Sequence, residues 1–168
     1  MSQTREAAIV RRNVRVKAPI ERTFSVFVEQ METWWPPHHH IGAQPFKAIF
    51  VEPRSGGRWY ECDAQGTQCD WGTVLAWDPP QKVTLSWHLG PDWKFNPDLA
   101  KSSEVEIRFK PEGTETLVEL EHRGLERHGE GYEQLRVALE SPDAWSATLA
   151  AFAKATDSAH LREREGSR

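Results

Sequence analysis

The sequence, 168 residues long, predicts an α+β domain in which an antiparallel sheet is covered by a long C-terminal helix. Two stretches carry that expectation. From Gly72 to Leu89, Val83, Leu85, Trp87 and Leu89 alternate with Lys82, Thr84, Ser86 and His88, so the second arm of a hairpin has one apolar face. From Ser141 to Ala159, Trp145, Leu149, Phe152 and Ala155 or Thr156 recur at helical spacing, after a capping serine, a first-turn proline and Asp143. An apolar sheet face needs a lid, and this helix is the best candidate for it.

In order, residues 1–8 read as disordered. Ile9 to Lys17 is a first strand with Val10, Val14 and Val16 on one face and Arg12 in phase with them. Arg12 is either a strand-end side chain escaping to solvent or a cation in a cavity. A helix opens at Ala18-Pro19-Ile20 and carries Phe24, Phe27, Val28 and Met31 toward Thr33. The segment Trp34-Trp35-Pro36-Pro37-His38-His39-His40 cannot be regular, because two prolines fix the backbone and remove donors. Its adjacent histidines diverge and no Cys, Asp or Glu completes a ligand set, so it reads as a loop wedged by its tryptophans onto the sheet rim, not a metal site.

Phe46 to Glu52 and Arg58 to Asp63 are the next strands. In the second, either Arg58, Tyr60 and Cys62 face inward or Trp59 does, and the sequence leaves both open. With Gln65-Gly66 at the hairpin tip, Cys62 and Cys69 face each other, as thiols in a reducing cytoplasm. The first arm of the central hairpin has an uncertain inner face. Asp78-Pro79-Pro80 demands a bend wider than a two-residue turn. Gly90 to Ser102 is a loop over one end of the sheet. Ser103 to Lys110 turns Val105, Ile107 and Phe109 inward, and Glu115 to Arg123 turns Val118, Leu120 and His122 inward. A short helix at Gly131 to Leu139 precedes the long one, and residues 160–168 read as a frayed polar tail.

Composition narrows the function. A net charge of −4 gives nucleic acid no electrostatic support. No apolar run is long enough to span a membrane and the N-terminus has no signal-peptide pattern, which predicts a cytoplasmic protein. Two cysteines make no disulfide framework. No phosphate loop, nucleophile motif or metal-spaced cluster occurs, so neither a cofactor nor a metal is expected. Eight tryptophans are many for this length.

The order of elements, the hairpin GTVLAWDPPQKVTLSW, SSEVEIRFKPEGTETLVELEH and GYEQLR with AWSATLAAFA together resemble one family from about Ile9 to Ala159. It is the family of domains similar to the activator of the heat shock protein 90 ATPase, within the START-like (SRPBCC, helix-grip) superfamily. The resemblance implies a helix-grip fold over residues 9–159, with six to seven curved strands wrapped around the C-terminal helix and a cavity between them. Members of that superfamily include lipid carriers, hormone receptors, aromatic cyclases and co-chaperones, so the fold does not choose the activity. The separate N-terminal domain of the true co-chaperone has no counterpart in this sequence.

From the residues, an aromatic interior with few polar groups is the composition of a small-molecule pocket. The leading expectation is non-catalytic binding of a small apolar or aromatic ligand by Trp34, Trp35, Arg58, Tyr60, Trp71, Trp87 and His122. One alternative is a cyclase-like enzyme with His122 as general base. Another is an interaction module for a chaperone-like partner, with Trp34, Trp35 and Trp93 exposed. A homodimer stays open.

Overall fold

The computed structural model describes residues 9–39 and 42–166. The expectation of a disordered segment at 1–8 therefore falls outside the described residues, as does His40 of the histidine run. The described residues form seven strands and three α-helices: β1 Val10–Val16, α1 Ile20–Glu29, β2 Phe46–Val51, β3 Arg58–Asp63, β4 Gln68–Asp78, β5 Lys82–Trp87, β6 Ser103–Glu112, β7 Glu115–Arg123, α2 Tyr132–Glu140 and α3 Ala147–Gly166. All strand pairs are antiparallel, in the order β1-β7-β6-β5-β4-β3-β2. The long meander from β2 to β7 is thus closed on one edge by the N-terminal strand, and the curled sheet with its long C-terminal helix is the helix-grip arrangement.

Two irregularities settle what strand alternation left open. The β3–β4 register shifts between Trp59 and Tyr60, and the β4–β5 register shifts between Val74 and Ala76. A bulge adds one residue to one strand and so reverses which later residues face inward. As a result Trp71, Val74 and Trp77 all join the core, although no single period of two contains them. On β3, Trp59 and Glu61 are buried while Arg58 and Tyr60 lie on the outer face. The β3–β4 pairing also sets Cys62 opposite Gln68 and Cys69 opposite Glu61. The two thiols therefore point to opposite faces of the sheet, which corrects the expectation that they meet across the hairpin.

The close approach of β4 and β5 depends on Gly72, where a Cβ would overlap the Ser86 carbonyl. Ser86 Oγ also accepts from the Thr73 N–H at 2.8 Å. The bend between these strands takes three residues, Pro79 to Gln81, between the paired Asp78 and Lys82, as the double proline requires. α3 continues past Ala159 to Gly166 instead of fraying at 160, because Leu161 to Glu165 are all strong helix formers.

α3 lies chiefly against β1 and α1. Its Phe152 meets Phe27 and Trp34, with ring centroids 5.2 and 5.1 Å away, and Phe27 in turn meets Phe109 of β6, so an aromatic layer from α1 and the turn after it stands between helix and sheet. Lys17 N–H donates to Asp157 Oδ1 at 2.7 Å and ties α3 to the end of β1. Arg12 is neither free in solvent nor a cavity cation. It donates to the Glu140 carbonyl and to Ser146 Oγ, both at 3.0 Å, and so satisfies the last carbonyl of α2 and holds the turn into α3. No helix among the described residues is long and apolar enough to cross a membrane.

Candidate functional site

The sheet, α2 and the start of α3 enclose a cavity of about 400 Å³. Its walls are built from four places in the chain. Trp35 comes from the loop after α1, Trp71 from β4, Trp87 and Leu89 from the end of β5, and Leu139, Trp145 and Thr148 from the joint between α2 and α3. That joint is irregular: Ser141 Oγ accepts from the Asp143 N–H at 3.1 Å, and Ala144 sits at φ −93°, ψ −122°, outside helical geometry. The break turns α3 away from α2 and leaves space between them at the level of Trp145.

Trp35, Trp71, Trp87 and Trp145 form a closed ring of edge-to-face pairs, with successive centroids 5.3, 5.3, 5.7 and 5.9 Å apart. Trp59 underlies the ring, stacked on Trp71 at 5.6 Å. Such pairs each add ~0.5–1.5 kcal/mol beyond the area they bury, so the wall is rigid.

Every indole N–H in that ring is used inside the protein. Trp35 donates to the His39 carbonyl at 2.8 Å, Trp71 to Glu61 Oε1 at 3.0 Å, Trp87 to the Leu89 carbonyl at 2.9 Å and Trp145 to His122 Nδ1 at 3.1 Å. The Glu61 carboxylate is only 2 % exposed and also accepts from the Gly42 N–H at 3.2 Å. A buried carboxylate is tolerated only with such partners. The ring therefore offers a ligand carbon surface and no donors.

His122 is fully buried behind this wall. An indole can only donate, so Nδ1 of His122 accepts and Nε2 carries the proton. That proton goes to Ser103 Oγ at 2.7 Å, and the serine hydroxyl in turn reaches His128 Nε2 at 2.8 Å. Burial first, then the neighbouring His128, pushes His122 down to about 3, and burial and His88 push His128 down to about 4. Both are neutral at pH 7. With both ring nitrogens engaged, His122 positions Trp145 and is not available as a base.

Of the residues expected to line the pocket, the structure brings together Trp35, Trp71 and Trp87 on the cavity wall. Trp34 is buried beside it, donating to the Val26 carbonyl at 3.0 Å. Arg58 and Tyr60 are elsewhere. Arg58 pairs with Asp70 at 2.7 Å on the outer face of β3 and stacks 4.0 Å over the Tyr60 ring. Trp34 and Trp35 are 3 and 4 % exposed, so neither belongs to an outward docking surface, whereas Trp93 is 47 % exposed.

Sequence reasoning missed Trp145, Leu139 and Thr148 as walls, and Glu61, Ser103 and His128 as supports. One signal was present: Ser103 falls in the inward phase of Val105, Ile107 and Phe109, as His122 does with Val118 and Leu120. The mouth holds His38, His39, Ser141, Asp143 and Trp93. Trp93 stands in the loop after β5 with φ at 61°, a conformation costly for a bulky residue. The Trp93 N–H donates to the Gly90 carbonyl at 2.8 Å and holds the turn. His39 lies below its ordinary value because it is partly buried and faces His38, with Asp143 opposing. Among the described residues no group of three or more side chains is placed to hold a metal.

The family described as Activator of Hsp90 ATPase homolog 1-like protein matches residues 17–156. An anthrahydroquino-γ-pyrone synthase, Txn09, solved in complex with SUM, is 40% identical, with a TM-score of 0.62 over 87% of this chain and 95% of that one. CalC from Micromonospora echinospora, a self-sacrificing resistance protein, is 29% identical, with a TM-score of 0.63 over 90% and 96% of the two chains. The Aha1 dimer from Colwellia psychrerythraea, 13% identical with a TM-score of 0.57 over 89% and 96%, shares the fold. No curated protein matches.

Proposed function

The chain belongs to the Activator of Hsp90 ATPase homolog 1-like family, and we propose that this member binds a small, flat aromatic molecule in the tryptophan-walled cavity. One observation carries the reading: four indoles packed edge to face form one wall of a cavity of about 400 Å³, with all their N–H groups turned to internal acceptors. A volume of ~300–1,000 Å³ with apolar walls and a few polar groups at one end is the form small-molecule sites take. Trp93 over the mouth supplies a further aromatic surface. A cytoplasmic location, expected from the sequence, belongs to the same proposal.

The test is calorimetric titration with fused-ring aromatic probes, followed in parallel by tryptophan fluorescence. Ala138 lines the cavity from α2. Ala138→Trp should fill the cavity and abolish binding while leaving the melting temperature nearly unchanged. Undiminished binding to a well-folded Ala138→Trp variant would remove this cavity as the site.

A second reading has its own observation, the 40% identity to a synthase solved with a bound molecule. Under it the cavity hosts a ring-forming reaction, and the acid–base group is His39 at the mouth, held below its ordinary value by partial burial and His38. His39→Ala should then lower turnover by ~10²–10⁴-fold with binding little changed. A variant that turns substrate over at the parent rate would leave the binding reading alone standing.

A further inference from the structure

The cavity sorts polarity along its depth. A ligand's hydrogen-bonding groups find no partner among the indoles, so they face the mouth, where His38, His39, Ser141 and Asp143 stand. Among the described lining residues there is no lysine or arginine, and Asp143 is the one acidic side chain. Partial burial and His38 hold His39 below its ordinary value, with Asp143 opposing, which disfavours a cation there.

The helix ends do not reverse the sign. The C-terminus of α2 and the N-terminal turn of α3 reach the same rim, and their partial charges of about half a unit each are opposite. Arg12 keeps its charge, but its guanidinium is held against the Glu140 carbonyl and Ser146 Oγ and does not line the cavity. Trp93, half exposed at the mouth, presents a ring whose face attracts cations.

Resting on the binding reading above, we infer that the ligand is a flat aromatic molecule carrying a protonated amine. Its rings lie against Trp35, Trp71, Trp87 and Trp145, and its ammonium group lies at the mouth beside Asp143. An aromatic carboxylate of the same shape meets Asp143 with no compensating cation and binds worse.

Three probes with one ring system decide it: 9-anthracenylmethylamine, 9-anthracenemethanol and 9-anthracenecarboxylate, titrated calorimetrically at neutral pH and low ionic strength. The amine should bind tightest and the carboxylate weakest, with about fivefold or more between them, the scale of a partly exposed ion pair gained in one case and a repulsion met in the other. Raising the salt to about 0.5 M should narrow that ratio. Asp143→Asn should bring it close to one, while Asp143→Glu, which keeps the charge, should keep the preference. Equal binding of all three probes, or an amine preference untouched in Asp143→Asn, overturns the inference and leaves the aromatic-binding reading in place. Failure of every probe to bind removes both.

Discussion

Replacing His122 by a residue that cannot titrate should flatten the acid dependence of stability. His122 is pushed from 6.5 to about 3, by burial first and by His128 second. In the unfolded chain the same imidazole titrates near its ordinary value of ~6.5. Below that pH the unfolded chain takes up a proton that the folded protein refuses, so stability is full above pH ~6.5 and is lost as pH falls toward 3. Each unit of pH below the unfolded value costs ~1.4 kcal/mol, so by pH 5 this one histidine removes about 2 kcal/mol. That is a visible share of the ~5–15 kcal/mol that holds a domain together. The measurement is urea unfolding between about pH 7.5 and pH 5, a window in which unfolded carboxylates scarcely titrate. His122→Gln can still accept from Trp145 and donate to Ser103, and it should lose about 2 kcal/mol less than the parent across that window. Parallel pH profiles for the two proteins would refute the account of His122 as a buried neutral link.

Two further outcomes follow from the geometry. Trp145→Ala should cost ~3–5 kcal/mol through the void it leaves, and Trp145→Phe should cost ~1–3 kcal/mol, chiefly because His122 Nδ1 loses its donor; a Phe variant as stable as the parent would show that this hydrogen bond contributes nothing. Cys62 and Cys69 should both react as free thiols, and mild oxidant should not join them within one chain, since they lie on opposite faces of β3 and β4; an intramolecular disulfide in the folded protein would contradict that register.

The candidate site was half legible before the fold was known. Trp71 and Trp87 could be assigned to walls because each sits in a strand of the central hairpin, and Trp35 because its loop had to lean on the rim. Arg58 and Tyr60 could not be judged. Their strand alternates evenly, and only the bulge at Trp59 and Tyr60 decides which parity faces the core. Trp145 was legible as the anchor of the last helix but not as a cavity wall. The space beside it exists because Ala144 breaks the helical path, and backbone geometry at an alanine leaves no trace in residue type.

Residue order alone was enough to set the architecture: six to seven strands, most of them cleanly alternating, a proline-started helix and a long terminal helix with an apolar stripe admit few arrangements that cover every apolar face. It also determined that the interior would be aromatic and that His122 would point into it. Packing in three dimensions was needed to say which aromatic groups share a cavity and what their polar edges do. Trp35, Trp71, Trp87 and Trp145 come from four separated segments, and their N–H groups reach a loop carbonyl, a carboxylate, a strand-end carbonyl and an imidazole. Local periodicity fixes which side of an element is apolar, because that depends on neighbours one to four residues away. Partners tens of residues apart are set by strand register, bulges and a break between helices, and these come from how all the elements pack at once.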